Sequence, residues 1–380
     1  MILCKKSKCT KFAFQLLLFF LALLTLFWLI LSDTVWSPLS IVVPVNSLRR
    51  KIQNFSWNFQ ENNTIKNHFR YTTKVKDFYI EKSYNESRNP SFTTTAITNI
   101  SNGKKNTQPQ YEYIINEPDK CKEHSPFLVL LITVERWQRE ARQAIRNTWG
   151  KEELLPGVKI LRLFFLGKDP NLNNDSKQAI LKESQEFHDI IQQDYMDTYN
   201  NLTIKVLMGL NWITTYCPHA LYIMKTDSDM FVNPEYLVNE LLKPNQPPKT
   251  NYFTGYLMIN ASPIRNLDSK WYVSPEVYPE EKYPPFCSGT GYVLSGDLSH
   301  KIVKIYPHIR WIHLEDVFIG LCLDKIGVQP VAPPKNSDFN AWRVTYSDCV
   351  YHRLVTSHGV SPGEILHYWN NLQKNKNICV

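Results

Sequence analysis

An uncharged apolar segment near the N-terminus constrains this chain of 380 residues more than any other feature. Residues 12–31 carry no charged side chain, and their polar members are Gln15 and Thr25. An α-helix rises ~1.5 Å per residue, so a segment of this length reaches ~30 Å, the hydrocarbon thickness of a bilayer. The sequence therefore predicts one transmembrane helix at residues 12–31.

The charges that flank this segment predict its orientation. The first charge after it is Asp33. By the positive-inside rule, residues 1–11 form a cytosolic tail, and the chain beyond residue 31 is lumenal. A cleaved signal peptide is the alternative, but the apolar stretch is long for one and no small-x-small cleavage site follows it. The basic residues before the segment are Lys5, Lys6, Lys8 and Lys11.

Glycosylation acceptors and cysteines agree with a secretory compartment. Six cysteines follow the segment, which predicts three disulfides whose pairing the sequence leaves open. No two of them are spaced as Cys-x-x-Cys, which disfavours a zinc site. The cysteines are Cys121, Cys217, Cys287, Cys322, Cys349 and Cys379, and the Asn-x-Ser/Thr acceptors are Asn54, Asn62, Asn85, Asn99, Asn174, Asn201 and Asn260.

The net charge of +8 is unevenly distributed along the chain. Such an excess is typical of proteins that bind nucleic acid or membrane surfaces. Here it comes from the cytosolic lysines and from residues 32–120, whereas residues 121–380 carry 27 basic and 27 acidic side chains. We therefore expect no nucleic-acid binding. With 13 glycines and no Gly-x-Gly-x-x-Gly or Walker string, a glycine-cradled nucleotide site is also disfavoured.

Composition divides the lumenal part into a stem and a folded domain. Residues 32–120 are rich in Asn, Ser, Thr and Lys and lack a sustained period, which is typical of a largely disordered tether. From Cys121, apolar runs alternate with helix-period segments. Strands are expected at 126–134, 158–166, 188–192 and 220–225, and helices at 140–149, 176–187 and 200–216. This order predicts an α/β domain at 121–380 with a mainly parallel sheet.

An Asp-x-Asp string follows the strand predicted at 220–225. Asp227 and Asp229 stand where the strand ends, and ligands bind at the carboxyl ends of strands in open α/β sheets. Two such carboxylates can hold one divalent ion and leave coordination positions for phosphate oxygens. The alternative is a simple helix cap, because Pro234 is well placed at a first helical position.

A second acidic pair, Glu315 and Asp316, opens an apolar run that is typical of a helix. Acids in a first turn are favoured by the helix dipole, which alone would account for them. A carboxylate at this position can also act as a general base toward a substrate hydroxyl. Near the C-terminus, His358 could add an imidazole ligand to the metal, although a lone histidine is more often structural.

Several strings together resemble the inverting β-1,3-glycosyltransferases of the Golgi, in particular the β-1,3-galactosyltransferase branch. The resemblance covers essentially the whole domain from Cys121. The strings are residues 142–150 (RQAIRNTWG), 194–205 (DYMDTYNNLTIK), 225–231 (KTDSDMF), 287–292 (CSGTGY) and 315–318 (EDVF).

The resemblance implies a GT-A type, Rossmann-like nucleotide-sugar domain that uses Mn²⁺ in place of a glycine loop. It implies that Asp229 is the principal metal ligand, with Asp227 and His358 beside it, and that Asp316, or else Glu315, is the base. Further motif positions would line the binding pockets. These are Arg142, Arg146 and Asp197 for the nucleotide, and a loop of Gly289, Thr290 and Gly291 for the donor or acceptor sugar. Trp271, an aromatic side chain suited to stacking on a sugar, is a further candidate for the sugar pocket.

The implied reaction transfers galactose from UDP-galactose to the 3-hydroxyl of a terminal β-GlcNAc on a glycoprotein or glycolipid, in the Golgi membrane. Related donors, N-acetylglucosamine or N-acetylgalactosamine, are the nearest alternative. A membrane-anchored lectin is a different class, which would bind sugar without transferring it. A two-carboxylate glycosidase would share the acids but would have no use for a metal site.

Overall fold

The computed structural model describes residues 111–122 and 125–375. No helix within these ranges is both long and apolar enough to cross a bilayer. The predicted transmembrane segment, the cytosolic tail and most of the predicted stem lie outside the described residues. So do the acceptors Asn54, Asn62, Asn85 and Asn99.

Seven strands of the described chain form one sheet, and two short strands form another. The strands are β1 (Tyr113–Ile115), β2 (Leu128–Thr133), β3 (Ile160–Lys168), β4 (Ile190–Met196), β5 (Tyr222–Asp227), β6 (Met230–Val232), β7 (Phe253–Met258), β8 (Phe286–Ser295) and β9 (Thr356–His358). The large sheet has the order β1-β4-β3-β2-β5-β8-β7, and β6 pairs with β9.

The large sheet is mixed, which corrects the prediction of a mainly parallel one. Strands β4, β3, β2 and β5 pair in parallel. The pairs β1–β4, β5–β8 and β7–β8 are antiparallel. Parallel neighbours need a crossover connection. The segment between β7 and β8 contains no helix, so these two strands pair antiparallel.

Helices cover both faces of the sheet. They are α1 (Arg139–Asn147), α2 (Asn174–Phe187), α3 (Leu202–Tyr216), α4 (Pro234–Tyr236, continued by a π-helical segment Leu237–Leu242), α5 (Gly296–Ile305), α6 (Glu315–Lys325), α7 (Asp348–Tyr351) and α8 (Pro362–Lys374). Short 3₁₀ turns lie at Tyr199–Asn201 and Tyr306–His308. The helices predicted at 140–149, 176–187 and 200–216 are therefore confirmed within a few residues.

Strand β2 shows why the sheet lies at the centre of the fold. Alternate side chains, Leu128 and Leu130 against Val129 and Leu131, enter two different apolar clusters on opposite faces. All six residues of β2 are buried. A continuous run of apolar residues is stable in a strand when both faces are removed from water. The predicted doubly covered strand is thus confirmed.

The sheet includes residues that precede the predicted domain boundary at residue 121. Strand β1 lies inside the predicted stem, yet it pairs with β4 at the edge of the sheet. A disulfide between Cys121 and Cys217 then fastens the segment after β1 to the end of α3. An edge strand of three residues is too short to show a period, so composition alone places this boundary too late.

The expectation of three disulfides is wrong. Cys287 and Cys322 are buried free thiols in the apolar cluster under β8 and α6. Cys349 is disulfide-bonded. Burial in an apolar cluster is a normal environment for a free cysteine, and a cysteine count does not distinguish such residues from paired ones.

A buried ion network joins α1, α2 and the strands beside them. Arg142 forms two bonds to Glu183, of 2.8 and 2.7 Å. Arg146 bonds Glu183 at 2.8 Å and makes two 2.8 Å bonds to Asp189. Arg162 also bonds Asp189. The prediction that Arg142 and Arg146 line the nucleotide pocket is therefore corrected, because both guanidinium groups are buried and engaged by carboxylates.

The network predicts a large effect of charge removal at Glu183. Glu183→Gln should lower the free energy of unfolding by ~3–5 kcal/mol, because two buried guanidinium groups lose a shared carboxylate. Denaturant unfolding measures the change. Glu186→Gln is the matched control, since Glu186 lies exposed on the same helix. Equal effects of the two substitutions would contradict a stabilising network.

Candidate active site

The candidate site lies where the parallel strands end. Thr133, the last residue of β2, is in register with Asp227, the last residue of β5. The Thr133 hydroxyl donates to Asp227 Oδ1 at 2.6 Å. Strands β3 and β4 end at the same edge, where Lys168 pairs with Met196. The predicted Asp-x-Asp therefore stands at the carboxyl edge of the sheet.

Asp229 and His358 meet beside this edge. His358 Nε2 lies 3.2 Å from Asp229 Oδ2, because β6 and β9 pair Met230 with His358. The hydrogen bond to Asp229 raises the His358 pKa above its ordinary value. Burial tends to raise the Asp229 pKa, but His358 outweighs burial and holds it below the usual range.

The described residues contain no group of three His, Cys, Asp or Glu side chains arranged to hold a metal ion. The carboxylate of Asp229, half exposed, and the imidazole of His358 do lie together. Asp227 Oδ1 instead accepts bonds from Thr133 and Lys225. These oxygen and imidazole donors fit a hard divalent ion that takes its remaining ligands from phosphate and water.

Lys225 links the two acidic pairs. Its ammonium is fully buried and lies 2.8 Å from Asp227 Oδ1 and 3.4 Å from Glu315 Oε2. It also donates to the Gly289 carbonyl. Burial alone would lower the Lys225 pKa, but the carboxylates of Asp227 and Glu315 raise it overall. The ammonium therefore stays charged between the two sites.

The two acids of the second pair have different surroundings. Glu315 is buried and accepts a hydrogen bond from the Tyr292 hydroxyl. Burial raises the pKa of Glu315 to about 7, although Lys225 lowers it. Asp316 is partly exposed. Its Oδ2 accepts the Gly289 N–H at 3.0 Å and its Oδ1 the Val317 N–H at 2.8 Å. Asp316 is thus the carboxylate that a substrate can reach.

Burial also raises the pKa of Asp316 above its ordinary value, although the two backbone N–H groups lower it. A carboxylate with a raised pKa is a stronger base than a solvated one. The arrangement can therefore remove a proton from a hydroxyl that lies against Asp316.

The predicted loop of Gly289, Thr290 and Gly291 is part of strand β8, which corrects its assignment as a loop. The strand pairs with β5 and places Gly291 opposite Thr226. A Cβ atom on residue 289 would lie 2.7 Å from Glu315 Oε2. Glycine at this position therefore lets the N-terminus of α6 approach β8 closely.

Asp197 lies just beyond the end of β4, at the predicted nucleotide edge. Its Oδ1 is 2.6 Å from Lys205 Nζ, and its Oδ2 accepts the Gly167 N–H at 2.9 Å. Lys205 also donates to the Val134 carbonyl at 2.9 Å. Asp197, directly after β4, is therefore bonded to the end of β3 and, through Lys205, to the segment after β2.

A cleft of about 1020 Å³ opens beside Asp229. One wall is the first part of α1 with Trp137 and Gln138 before it, and another is residues 359–362. Pockets that bind small molecules typically have volumes of ~300–1,000 Å³. Trp271, the predicted sugar-stacking residue, does not line this cleft and stands half exposed in the segment between β7 and β8.

Sequence reasoning missed the role of Lys225 and of Tyr292. A signal for Lys225 was present, because a lysine inside a strand covered on both faces must find buried partners. Tyr292 follows the glycine string directly and gave no such signal.

The chain is similar to several β-1,3-galactosyltransferases over most of its length. Human β-1,3-galactosyltransferase 2 is 59% identical over 291 residues, which is 76% of this chain and 69% of that protein. The protein of the same name from Pongo abelii is 61% identical over 71% of this chain, which spans 64% of its length. Mouse β-1,3-galactosyltransferase 1 is 48% identical over 78% of this chain and 90% of its own.

Solved structures overlap only distantly. A glycosyltransferase involved in the glycosylation of the major capsid of PBCV-1 has a TM-score of 0.36, 10% identity and coverage of 65% of this chain and all of its own. The WbbM bifunctional enzyme gives a TM-score of 0.38 at 10% identity, over 66% of this chain and 50% of its own. Scores this low carry no argument about the fold.

Two family models match the chain directly. The galactosyltransferase model matches residues 140–334, and the β-1,3-galactosyltransferase 2 N-terminus model matches residues 47–129. The second match includes residues 113–118 (YIINEP), a string that resembles β-1,3-galactosyltransferase 2. The chain therefore belongs to the β-1,3-galactosyltransferase family.

Proposed function

We propose that this chain transfers galactose from UDP-galactose to the 3-hydroxyl of a terminal β-GlcNAc, with inversion and with Mn²⁺ as cofactor, on a GT-A type domain. The observation that supports this best is the pair of acidic sites at one sheet edge, which Lys225 joins. A two-carboxylate glycosidase would have no use for a divalent-ion site at Asp229 and His358. Family membership favours galactose as the transferred sugar.

In this proposal the donor occupies the cleft beside Asp229, whose walls include the N-terminal turn of α1. Asp229 and His358, with Asp227 behind them, would hold the Mn²⁺ ion. The bound ion would offset negative charge on the leaving diphosphate. The helix N-terminus also favours phosphate oxygens, because its N–H groups and dipole point toward them.

Asp316 then acts as the base. Its carboxylate takes the proton of the acceptor 3-hydroxyl, and the oxygen attacks the anomeric carbon from the face opposite UDP. The bond between the anomeric carbon and the β-phosphate oxygen breaks, and UDP leaves with its electron pair. One displacement converts the α-linked donor into a β-linked product. Glu315 is buried against Tyr292 and Lys225, which favours a positioning role for it.

We also propose that the chain is a single-pass type II protein of the Golgi membrane, with its catalytic domain in the lumen. The apolar segment at 12–31, the lysines before it and the glycan acceptors after it support this proposal. Of the acceptors in the described part of the chain, Asn174 and Asn260 are exposed and Asn201 is partly exposed.

A donor panel tests the proposed reaction. The full chain in detergent, with a β-GlcNAc glycoside and Mn²⁺, should transfer galactose from UDP-galactose, and EDTA should abolish transfer. Product is measured by mass spectrometry, and its linkage by NMR. Preferred use of UDP-GlcNAc or UDP-GalNAc would replace the donor assignment. Sugar binding without any transfer would favour a lectin, and full activity in EDTA would overturn the metal assignment.

Replacement of the proposed base gives a second test. Asp316→Asn should lower kcat by ~10²- to 10⁴-fold, because the amide cannot accept the hydroxyl proton. The affinity for UDP with Mn²⁺ should be unchanged in calorimetric titration. Asp324→Asn is a matched control in the last turn of the same helix. Near-normal turnover by the Asp316 variant would exclude it as the base.

Lys225→Met tests the link between the acidic sites. The free energy of unfolding should fall by ~3–5 kcal/mol, because Asp227 and Glu315 lose a shared buried cation. Adding Glu315→Gln should recover part of this loss, since one of the unpaired charges is then removed. Lys182→Met, at an exposed position on α2, is the surface control. A stability loss no larger than that of the control would show that Lys225 does not bind the sites together.

A further inference from the structure

Two large aromatic side chains stand half exposed near the Asp316 side of the site. Tyr199 lies in the 3₁₀ turn after β4, and its exposed fraction is 45%. Trp271 lies between β7 and β8, and its exposed fraction is 48%. Aromatic rings of this size are normally buried for their apolar area. Their exposure is therefore not explained by packing of the core.

These two side chains form one unit with Lys270. The Tyr199 hydroxyl is hydrogen-bonded to the Trp271 side chain. The Lys270 ammonium lies 5.4 Å from the centre of the Tyr199 ring and 4.7 Å from that of Trp271. Such distances give cation–π attraction to both rings. We call Tyr199, Lys270 and Trp271 the aromatic rim.

The segment that carries Lys270 and Trp271 is held in place. Arg265 donates to the carbonyls of Val273 and Tyr278, both at 2.6 Å. Ile264 also forms a β-bridge with Tyr272, directly after Trp271. Fixed backbone on both sides of Trp271 lowers the entropy that ligand binding would cost.

The rim lies beside the segment that leads into Asp316, because the Thr203 hydroxyl, four residues after Tyr199, donates to the carbonyls of Ile312 and His313 at 3.1 and 2.9 Å. Burial is the main reason that the Tyr199 pKa is raised, and the charge of Asp316 is the next.

We propose that the aromatic rim binds the pyranose ring of the accepting sugar, and that Tyr199 and Trp271 thereby orient its 3-hydroxyl toward Asp316. This inference rests on the proposed function. The apolar C–H face of a pyranose can pack on an aromatic ring, while its 3-hydroxyl needs a polar partner, which the Asp316 carboxylate supplies in this proposal. The Tyr199–Trp271 hydrogen bond sets the relative orientation of the two rings, so it determines which acceptors fit.

The rim is assigned to the acceptor because the donor has a different place. The cleft beside Asp229 is lined by α1 and residues 359–362, and it includes no residue of the rim. An inverting displacement brings the acceptor in from the side opposite the diphosphate. The base contacts the acceptor hydroxyl, so aromatic surfaces near Asp316 belong to the acceptor.

Acceptor kinetics on the full chain in detergent test the assignment, with UDP-galactose as donor and a methyl β-GlcNAc glycoside as acceptor. Trp271→Ala should raise the acceptor KM about 10-fold or more, the loss expected for a stacking residue. Tyr199→Phe keeps the ring but removes the hydrogen bond, and should raise the same KM by a smaller factor. The affinity for UDP with Mn²⁺, measured by calorimetry, should not change in either variant.

Leu267→Ala is the matched control, because Leu267 is exposed in the same segment and lies outside the rim. It should keep the acceptor KM of the unchanged chain. An unchanged acceptor KM in Trp271→Ala would overturn the rim as an acceptor site. Equal weakening of UDP and acceptor binding would also overturn it, because the substitution would then have disturbed the whole domain rather than an acceptor site. Failure of the unchanged chain to transfer galactose would instead overturn the proposed function.

Discussion

The buried ammonium of Lys225 is the interaction on which the site depends. A charge removed from water is tolerated only when opposite charges and carbonyl oxygens surround it. Lys225 finds them in Asp227 on its own strand, in the Gly289 carbonyl on β8 and in Glu315 on α6. Three elements that are distant in sequence must therefore converge on one nitrogen atom. Their convergence sets the spacing between the Asp-x-Asp and the proposed base.

Gly289 extends this dependence to Asp316. Its carbonyl accepts from Lys225, while its N–H donates to the Asp316 carboxylate. The same residue lacks a Cβ that would collide with Glu315. A shift of the ammonium would thus move β8 and, with it, the donor that orients the base. Pre-organisation of this kind fixes a carboxylate before substrate arrives.

The buried arginine network supports the site from the other face of the sheet. Arg142 donates to the carbonyls of Glu135 and Arg136 as well as to Glu183. These carbonyls belong to the segment that leads from β2 into the cleft wall at Trp137 and Gln138. The arginine motif can therefore shape the cleft through backbone atoms, without exposing a guanidinium group to a ligand.

The sequence made some parts of this structure predictable and left others open. Continuous apolar runs predicted β2, β3 and β5, because burial on both faces leaves a local mark. The apolar run that predicted β5 leads directly into the Asp-x-Asp, so this string was expected at a strand end. The antiparallel strand β8 contains Ser288, Gly289 and Gly291, and its pairing depends on Lys225 and α6 rather than on local preference. Likewise, Arg142 is buried because it pairs with Glu183. Glu183 is far away in the chain, and no local pattern around Arg142 predicts this partner.

The positions of the two acidic pairs also bear on the stereochemistry. In a single displacement the leaving oxygen and the attacking oxygen lie on opposite sides of one carbon atom. Asp229 faces the cleft with His358, whereas Asp316 lies across Lys225 and β8, on the side of the aromatic rim. With a single carboxylate pair, the same two side chains would have to act on both the leaving oxygen and the attacking oxygen. Separate sites, joined by one buried cation, would allow a donor and an acceptor to meet from opposite directions, as the proposed inverting displacement requires.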